Sequence, residues 1–169
     1  MKDTFFKILA GPVGKIVGHR NLIRAGKYIE RAGRLDFPNS ISKNGESLVQ
    51  EVVLRNCPAP VIVDCGANKG QWSTEMASNA GKISVEGGRA YCLEPSSYTF
   101  AELEKNLSKI PPAGMAFTPV NIALSNACGK ATLQIVHDGA GTNSLILTPT
   151  ARGATETVEM KTLDVFAAD

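Results

Sequence analysis

The spacing of apolar positions changes along this chain, and the changes mark out alternating helices and strands. Residues 21–34 place Leu22, Ile23 and Ile29 on one side of a helix. Residues 36–45 hold Pro38, Asn39, Ser40 and Gly45 and read as a loop. Residues 46–56 read as a second helix, with Leu48, Val49, Val52 and Val53 as its apolar side and Pro58 and Pro60 as its stop. The β-branched run Val61-Ile62-Val63 has the type and length of a buried strand. A glycine turn follows at 66–70, then a helix over 71–79 that buries Trp72 and Met76. Residues 90–93 form a second strand, closed by Glu94-Pro95. Phe100, Leu103, Leu107 and Ile110 sit at helical spacing within 97–110, where Thr99 and Glu102 would form a capping box.

Residues 117–124 read as a third strand, and 125–130 as a hairpin turn into a strand over 131–136. A Gly-rich loop covers 138–143 and leads into Ser144-Leu145. Another strand is expected at 157–160, and Thr162 reads as the N-cap of a last short helix. No internal repeat is present. The alternation predicts an α/β fold with a parallel sheet and right-handed crossovers.

Composition narrows the class. The chain has 169 residues, enough for about one domain. With 43% hydrophobic and 20% charged residues it has a globular balance, which excludes a disordered or fibrous chain. No run of about 18 apolar residues occurs, so no transmembrane helix is expected. Cys57, Cys65, Cys92 and Cys128 form no CxxC pair, and His19 and His137 are the only histidines, so no metal site is expected. This cysteine usage points to a reducing cytoplasm. Lys7 and Gly11-Pro12 interrupt the N-terminal apolar stretch, which does not fit a secretory signal.

The net charge of +2 hides a division. Residues 1–45 carry nine Lys/Arg and three Asp/Glu, whereas 46–169 carry nine and thirteen. We therefore read 1–45 as a basic helical N-terminal extension. Its expected state is a pair of solvated helices beside the main domain. The alternative is a basic face toward an acidic partner or a membrane surface, with Phe5, Phe6, Leu9, Val13, Ile16 and Val17 as the apolar side.

Candidate chemistry gathers at the first strand and its loop, Val61 to Gly70. In an open parallel sheet, ligands bind outside the carboxyl ends of the strands. Gly66 and Gly70 let the backbone approach a ligand closely, and the helix starting near Lys69 offers free N–H groups. Glu94 lies 24 residues beyond Gly70, at the end of the second strand, where a carboxylate can accept both hydroxyls of an adenosine ribose. The loop lacks both G-x-G-x-x-G and G-x-x-x-x-G-K-[ST], so neither a dinucleotide nor a nucleoside triphosphate is indicated. An acidic strand end followed by G-x-x-x-G suits S-adenosyl-L-methionine, an adenosine cofactor without phosphates.

The same residues carry a family resemblance. VIVDCGANKGQWS resembles the first motif of FkbM-type S-adenosylmethionine-dependent methyltransferases. CLEPSSYTFAELEKNL is similar to their second-strand "EP" motif and following helix. VNIALSNACGKATLQI, GTNSL and TVEMKTLDVF continue the likeness in order, over roughly residues 46–169. The resemblance implies a Rossmann-like class I methyltransferase fold over 46–169. It implies that Gly66, Ala67, Asn68 and Gly70 line the methionine half of the cofactor, and that Asp64 orders that loop. It implies that Glu94 holds the ribose, with Pro95 and Ser96 fixing its approach, and that Asn121 and Ile122 flank the adenine. Ser144 stands where the family has a small polar pair, here Asn143-Ser144. The implied activity is O-methylation of a hydroxyl on a sugar or small metabolite.

The family continues past its "TLD" segment into a strand of type D-x-x-K-x-D-x-E-G, whereas this sequence reaches Asp169 before it. The expected fold is therefore incomplete. Residues 61–64 would then have an open edge and an apolar face, which favours self-association, so a homo-oligomer is expected.

A hydroxyl acceptor needs a general base, and His137 and Asp138 are the nearby candidates, with a surface histidine as the plainer reading. No catalytic residue is assigned. Cys65 and Cys92 read as small buried hydrophobes rather than reactive thiols. The alternative function is a non-catalytic S-adenosylmethionine-binding or scaffold remnant of the same fold. A nicotinamide oxidoreductase is disfavoured by the absent glycine fingerprint. Nucleic acid is not expected as a partner, because aromatic residues make up 6% and do not interleave the basic ones.

Overall fold

The computed structural model describes residues 12–13, 15–34, 40–111, 114–136, 141, 143–145 and 154–168. The chain divides into two compact units, Met1–Asn44 and Gly45–Asp169. In the first, α1 spans His19–Gly33 and buries none of its residues.

The second unit is a Rossmann-like α/β fold. After α2 (Glu46–Asn56) come β1 (Val61–Cys65), α3 (Gln71–Ile83), β2 (Gly88–Leu93), α4 (Ser97–Leu107) and β3 (Met115–Val120). The strands form one parallel sheet in the order β1-β2-β3, with Ile62 opposite Ala90 and Ala90 opposite Phe117. This strand–helix alternation is a βαβαβ unit, the building block of doubly wound sheets. Cys57 adopts an extended conformation, as a residue before proline must, and so ends α2 ahead of β1.

One face of the sheet builds the main core. Ile62, Ala90, Cys92 and Phe117 alternate onto that face and pack with Met76, Ala80, Leu103 and Leu107 from α3 and α4. The other face carries Val61, Val63, Tyr91 and Val120. These line a cavity of about 470 Å³ together with Ile122 and Phe166.

Three expectations are corrected here. The third strand is not continuous over 117–124. It stops at Val120, and Ala123–Leu124 form β4 in a second sheet. The break falls at Asn121, whose side chain turns back to the β2 end. Nor do β4 and β5 (Gly129–Ile135) form a hairpin. β6 (Ala154–Lys161) lies between them, parallel to β4 and antiparallel to β5. Finally, α2 turns a different side inward. Leu48, Val49 and Val52 are exposed, while Gln50 and Leu54 are buried.

The physical reason lies in a polar network between α2 and α3. The Asn79 amide donates to Gln50 Oε1 at 3.0 Å and to Ser47 Oγ at 2.9 Å, and the Gln50 amide donates to the Trp72 carbonyl at 3.1 Å. Satisfied in this way, two buried amides are tolerated, and they set the rotation of α2. Thr162 does cap the last helix, α5 (Leu163–Ala168), its Oγ1 accepting the Val165 N–H at 3.2 Å.

The network makes a stability prediction. Asn79→Leu strands the Gln50 carbonyl and should cost about 2–3 kcal/mol in denaturant unfolding. Leu48→Ala, on the exposed side of α2, should change stability by no more than about 0.5 kcal/mol. The reverse ranking would show that the apolar stripe, not the amide pair, holds α2.

Candidate functional site

The carboxyl ends of β1, β2 and β3 meet at one edge of the sheet, and the loops leaving them are tied together. Gly66 and Ala67 both donate their N–H to the Leu93 carbonyl, at 2.9 and 2.8 Å. Glu94 donates its N–H to the Val120 carbonyl at 3.0 Å. The loop after β1 is thus pinned to the end of β2, and that end is pinned to β3.

Gly66 and Gly70 both sit at φ +78, in the left-handed region that glycine adopts without a Cβ clash. Their surroundings differ. A Cβ on Gly70 would meet the Leu103 side chain at 2.8 Å, so this glycine lets α3 start close against α4. A Cβ on Gly66 would meet nothing within 4 Å, so Gly66 faces open space. Ala67 is buried, Asn68 takes a positive φ of 50, and the Asn106 amide holds the Lys69 carbonyl at 2.9 Å. Gly70 caps α3 without a side-chain acceptor, so the first-turn N–H groups of α3 receive no side-chain cap.

Glu94 is the organising group. It is 7% exposed, and its two oxygens accept from two different loops. Oε2 takes the Asn68 N–H at 3.0 Å and Oε1 takes the Ser96 N–H at 3.0 Å. Each oxygen keeps a second lone pair for another donor. Burial pushes the Glu94 carboxyl above its ordinary 4.5, the two backbone N–H groups work against the rise, and nearby Glu156 and Asp64 add to it.

Asp64, at the end of β1, accepts from Ser73 Oγ at 2.7 Å, which ties the strand to the first turn of α3. Its carboxyl is also raised by burial, against the opposing Ser73 hydrogen bond, with Glu46 adding a smaller rise. Pro95 is half-buried and Ser96 buried. The Asn121 amide donates to the Glu94 and Pro95 carbonyls, at 2.8 and 3.1 Å, and so fixes the turn after β2. Ile122 is buried and lines the cavity with Val120 rather than the loop cluster.

The structure brings Asp64, Gly66, Ala67, Asn68, Gly70, Glu94, Pro95 and Asn121 to one end of the sheet. Ser144 lies elsewhere, exchanging backbone hydrogen bonds with Gln134 beside β5. His137 and Asp138 lie outside the described residues. Two local expectations change. Thr99 and Glu102 form no capping box, because Ser96 is the N-cap of α4. The Ser97 N–H instead donates to Glu156 on β6 at 3.0 Å, and Ser97 Oγ bonds the same carboxylate. Cys65 is exposed rather than buried, because it ends the strand. Cys92 is buried, and burial lifts its thiol to about 11, so it is no thiolate at neutral pH.

Ser73, Asn106 and Glu156 were not picked out from the sequence. Ser73 carried a usable signal, as a small hydroxyl in the first turn of the helix after a strand-end carboxylate. Glu156 carried none, since its partner lies 59 positions away. Among the described residues, no three His, Cys, Asp or Glu side chains gather as metal ligands, and no helix is long and apolar enough to cross a membrane.

No protein-family model matches the chain, and no curated protein matches it. Solved structures similar to it include precorrin-6y C5,15-methyltransferase from Geobacter metallireducens GS-15, at 24% identity and TM-score 0.34 over 50% of this chain. They also include YjhP from E. coli, at 19% identity and TM-score 0.32 over 54% of this chain. The chain spans 44% and 34% of those two proteins' lengths.

Proposed function

We propose that this chain is the cofactor-binding part of an S-adenosyl-L-methionine-dependent methyltransferase of the FkbM type, acting on a hydroxyl of a sugar or small metabolite. One observation carries the reading. The Glu94 carboxylate, at the end of β2, is hydrogen-bonded at 3.0 Å to Asn68 in the glycine loop after β1. The two motifs that suggest an adenosine cofactor are therefore in direct contact.

The residues present suit that cofactor. Gly66 leaves room for a ligand against the backbone, and the uncapped start of α3 favours a carboxylate such as the methionine end carries. The remaining lone pairs of Glu94 suit the two ribose hydroxyls, and Asn121 holds the turn that positions it. Asp64, tied to the first turn of α3 through Ser73, would supply negative charge toward the cationic end of the cofactor. Bound there, the cofactor supplies a methyl group on a cationic sulfur, which departs as a neutral thioether. The chain's own residues have to hold the donor in line and exclude water; the acceptor proton needs a base beyond this cluster.

Calorimetric titration with S-adenosyl-L-methionine tests the assignment. The wild-type chain should bind, and Glu94→Ala should bind about 10- to 100-fold more weakly, because hydrogen bonds to a charged group are lost. Gly66→Val should abolish binding, because its side chain enters the open space and strains a loop held at φ +78. Undiminished binding by both variants would place the cofactor elsewhere.

Affinity and unliganded stability should respond to pH in opposite directions. Glu94 accepts ribose hydroxyls best when ionised, so affinity should fall as pH drops through its raised pKa, above 4.5. The unfolded chain ionises Glu94 and Asp64 more readily than the folded one. Their contribution to stability is therefore fully present below the unfolded values and is lost as pH rises through the raised folded ones. Glu94→Gln should flatten the pH dependence of affinity across that interval. A variant whose affinity still falls as the wild type's does would remove Glu94 from the ribose site.

A further inference from the structure

We propose that α1 lies in the plane of an anionic membrane surface, with its apolar side in the lipid and its cations at the headgroups. α1 belongs to the unit Met1–Asn44, whereas the residues of the candidate cofactor site all belong to Gly45–Asp169.

At 100° per residue, Arg20, Arg24, Lys27, Arg31 and Arg34 fall within roughly 80° of arc. Arg34 belongs to the set because it keeps helical dihedrals at the C-cap. Leu22, Ala25, Gly26, Ile29 and Ala32 occupy the opposite side. Ile23 and Tyr28 sit on the two borders, the depth at which a partly apolar ring or a branched side chain meets an interface. Glu30 is the only acid between residues 19 and 34, and it pairs with Arg34 at 2.9 Å. This stretch therefore has five cations to one anion.

Among the described residues none of α1 is buried: Ile29 is 74% exposed and Ile23 60%, and Leu22 is half-buried. The short helical stretch just before it repeats the pattern. Val13, Ile16 and Val17 are exposed at i, i+3 and i+4 spacing, with Lys15 on the other side. Gly18, at φ +82, separates the two stretches.

Three classes of partner can be weighed against this arrangement. An apolar protein groove takes the apolar side and leaves five cations without counter-charge; only a groove that also carries acids around its rim meets both, and tighter binding to such an acidic protein than to anionic vesicles would overturn the proposal. A nucleic acid takes the cations and leaves Ile23 and Ile29 in water. An anionic bilayer takes both, because hydrocarbon and phosphate lie a few ångströms apart along its normal and arginine stems can reach from one to the other. A strongly polarised helix with Lys/Arg on its polar face and modest overall hydrophobicity is the form that lies on membranes rather than crossing them.

Co-sedimentation of the full chain with phosphatidylcholine vesicles, with and without phosphatidylserine, is the test. The chain should bind the anionic vesicles and not the neutral ones. The Arg24→Glu/Lys27→Glu/Arg31→Glu variant should lose about 100-fold or more in affinity. Ile29→Asp, which leaves the cations intact, should lose about 10-fold or more. Both variants should keep the wild-type unfolding transition, since none of these residues is buried. Failure to bind, equal binding to neutral vesicles, or indifference to Ile29→Asp would each overturn the proposal. So would tighter binding to a single-stranded oligonucleotide than to anionic vesicles at the same salt.

Discussion

Glu94 is the one carboxylate buried among the described residues, and the site end of the fold depends on how its charge is satisfied. A carboxylate with 7% exposure is costly unless donors reach it. Here the donors are backbone groups from two loops, Asn68 after β1 and Ser96 after β2. One side chain thereby sets the conformation of both. The shape of those loops in turn requires a positive φ at Asn68 and at both glycines. Asn121 closes the arrangement by holding the carbonyls of Glu94 and Pro95. Backbone geometry, buried charge and the position of the β3 end are thus linked requirements.

That linkage explains why the grouping of the candidate-site residues was more legible in the sequence than parts of the fold. The glycine loop, the strand-end acid and Asn121 are signals a few residues long, each with its own physical reason, and parallel pairing brings them together once the strands exist. β1 was legible because its β-branched run, Val61-Ile62-Val63, is bounded by Pro60 and Gly66 and leaves little choice. The side of α2 that turns inward was not. Leu48, Val49 and Val52 outweigh Gln50 in hydrophobicity, yet Gln50 is buried because Asn79, on another helix, satisfies it. A periodicity argument sees one helix at a time and cannot see such a partner. The cap of α4 is a similar case. Its Ser97 N–H goes to Glu156, brought close only by the second sheet.

The break at Asn121 has a further consequence. If the third strand had run straight to Leu124, Asn121 would have faced a sheet surface. By ending β3 at Val120, the chain frees Asn121 for the β2 turn and sends Ala123 and Leu124 to pair with Met160 and Lys161. The irregular segment is what joins the two sheets and completes the cluster around Glu94.

The parallel sheet is asymmetric in what it covers. The Arg89 N–H reaches the Pro60 carbonyl, and the Gly66 N–H reaches the Leu93 carbonyl. By the alternation of a parallel ladder, the even-numbered residues of β1 therefore pair with β2. Val61, Val63 and Cys65 direct their backbone groups to the outer edge. The side chains of Val61 and Val63 also line the cavity on the face opposite the helices, and Val61 is 64% exposed. A strand that presents both free backbone groups and an apolar face has the properties that favour pairing with a further strand. Phe166 of α5 answers part of that demand by packing edge-on against Tyr91 at 5.4 Å. It packs on the β2 side, and among the described residues the strand that launches the glycine loop stands at an edge of its sheet. Any partner strand that settles there would steady the loop through β1, without touching Glu94.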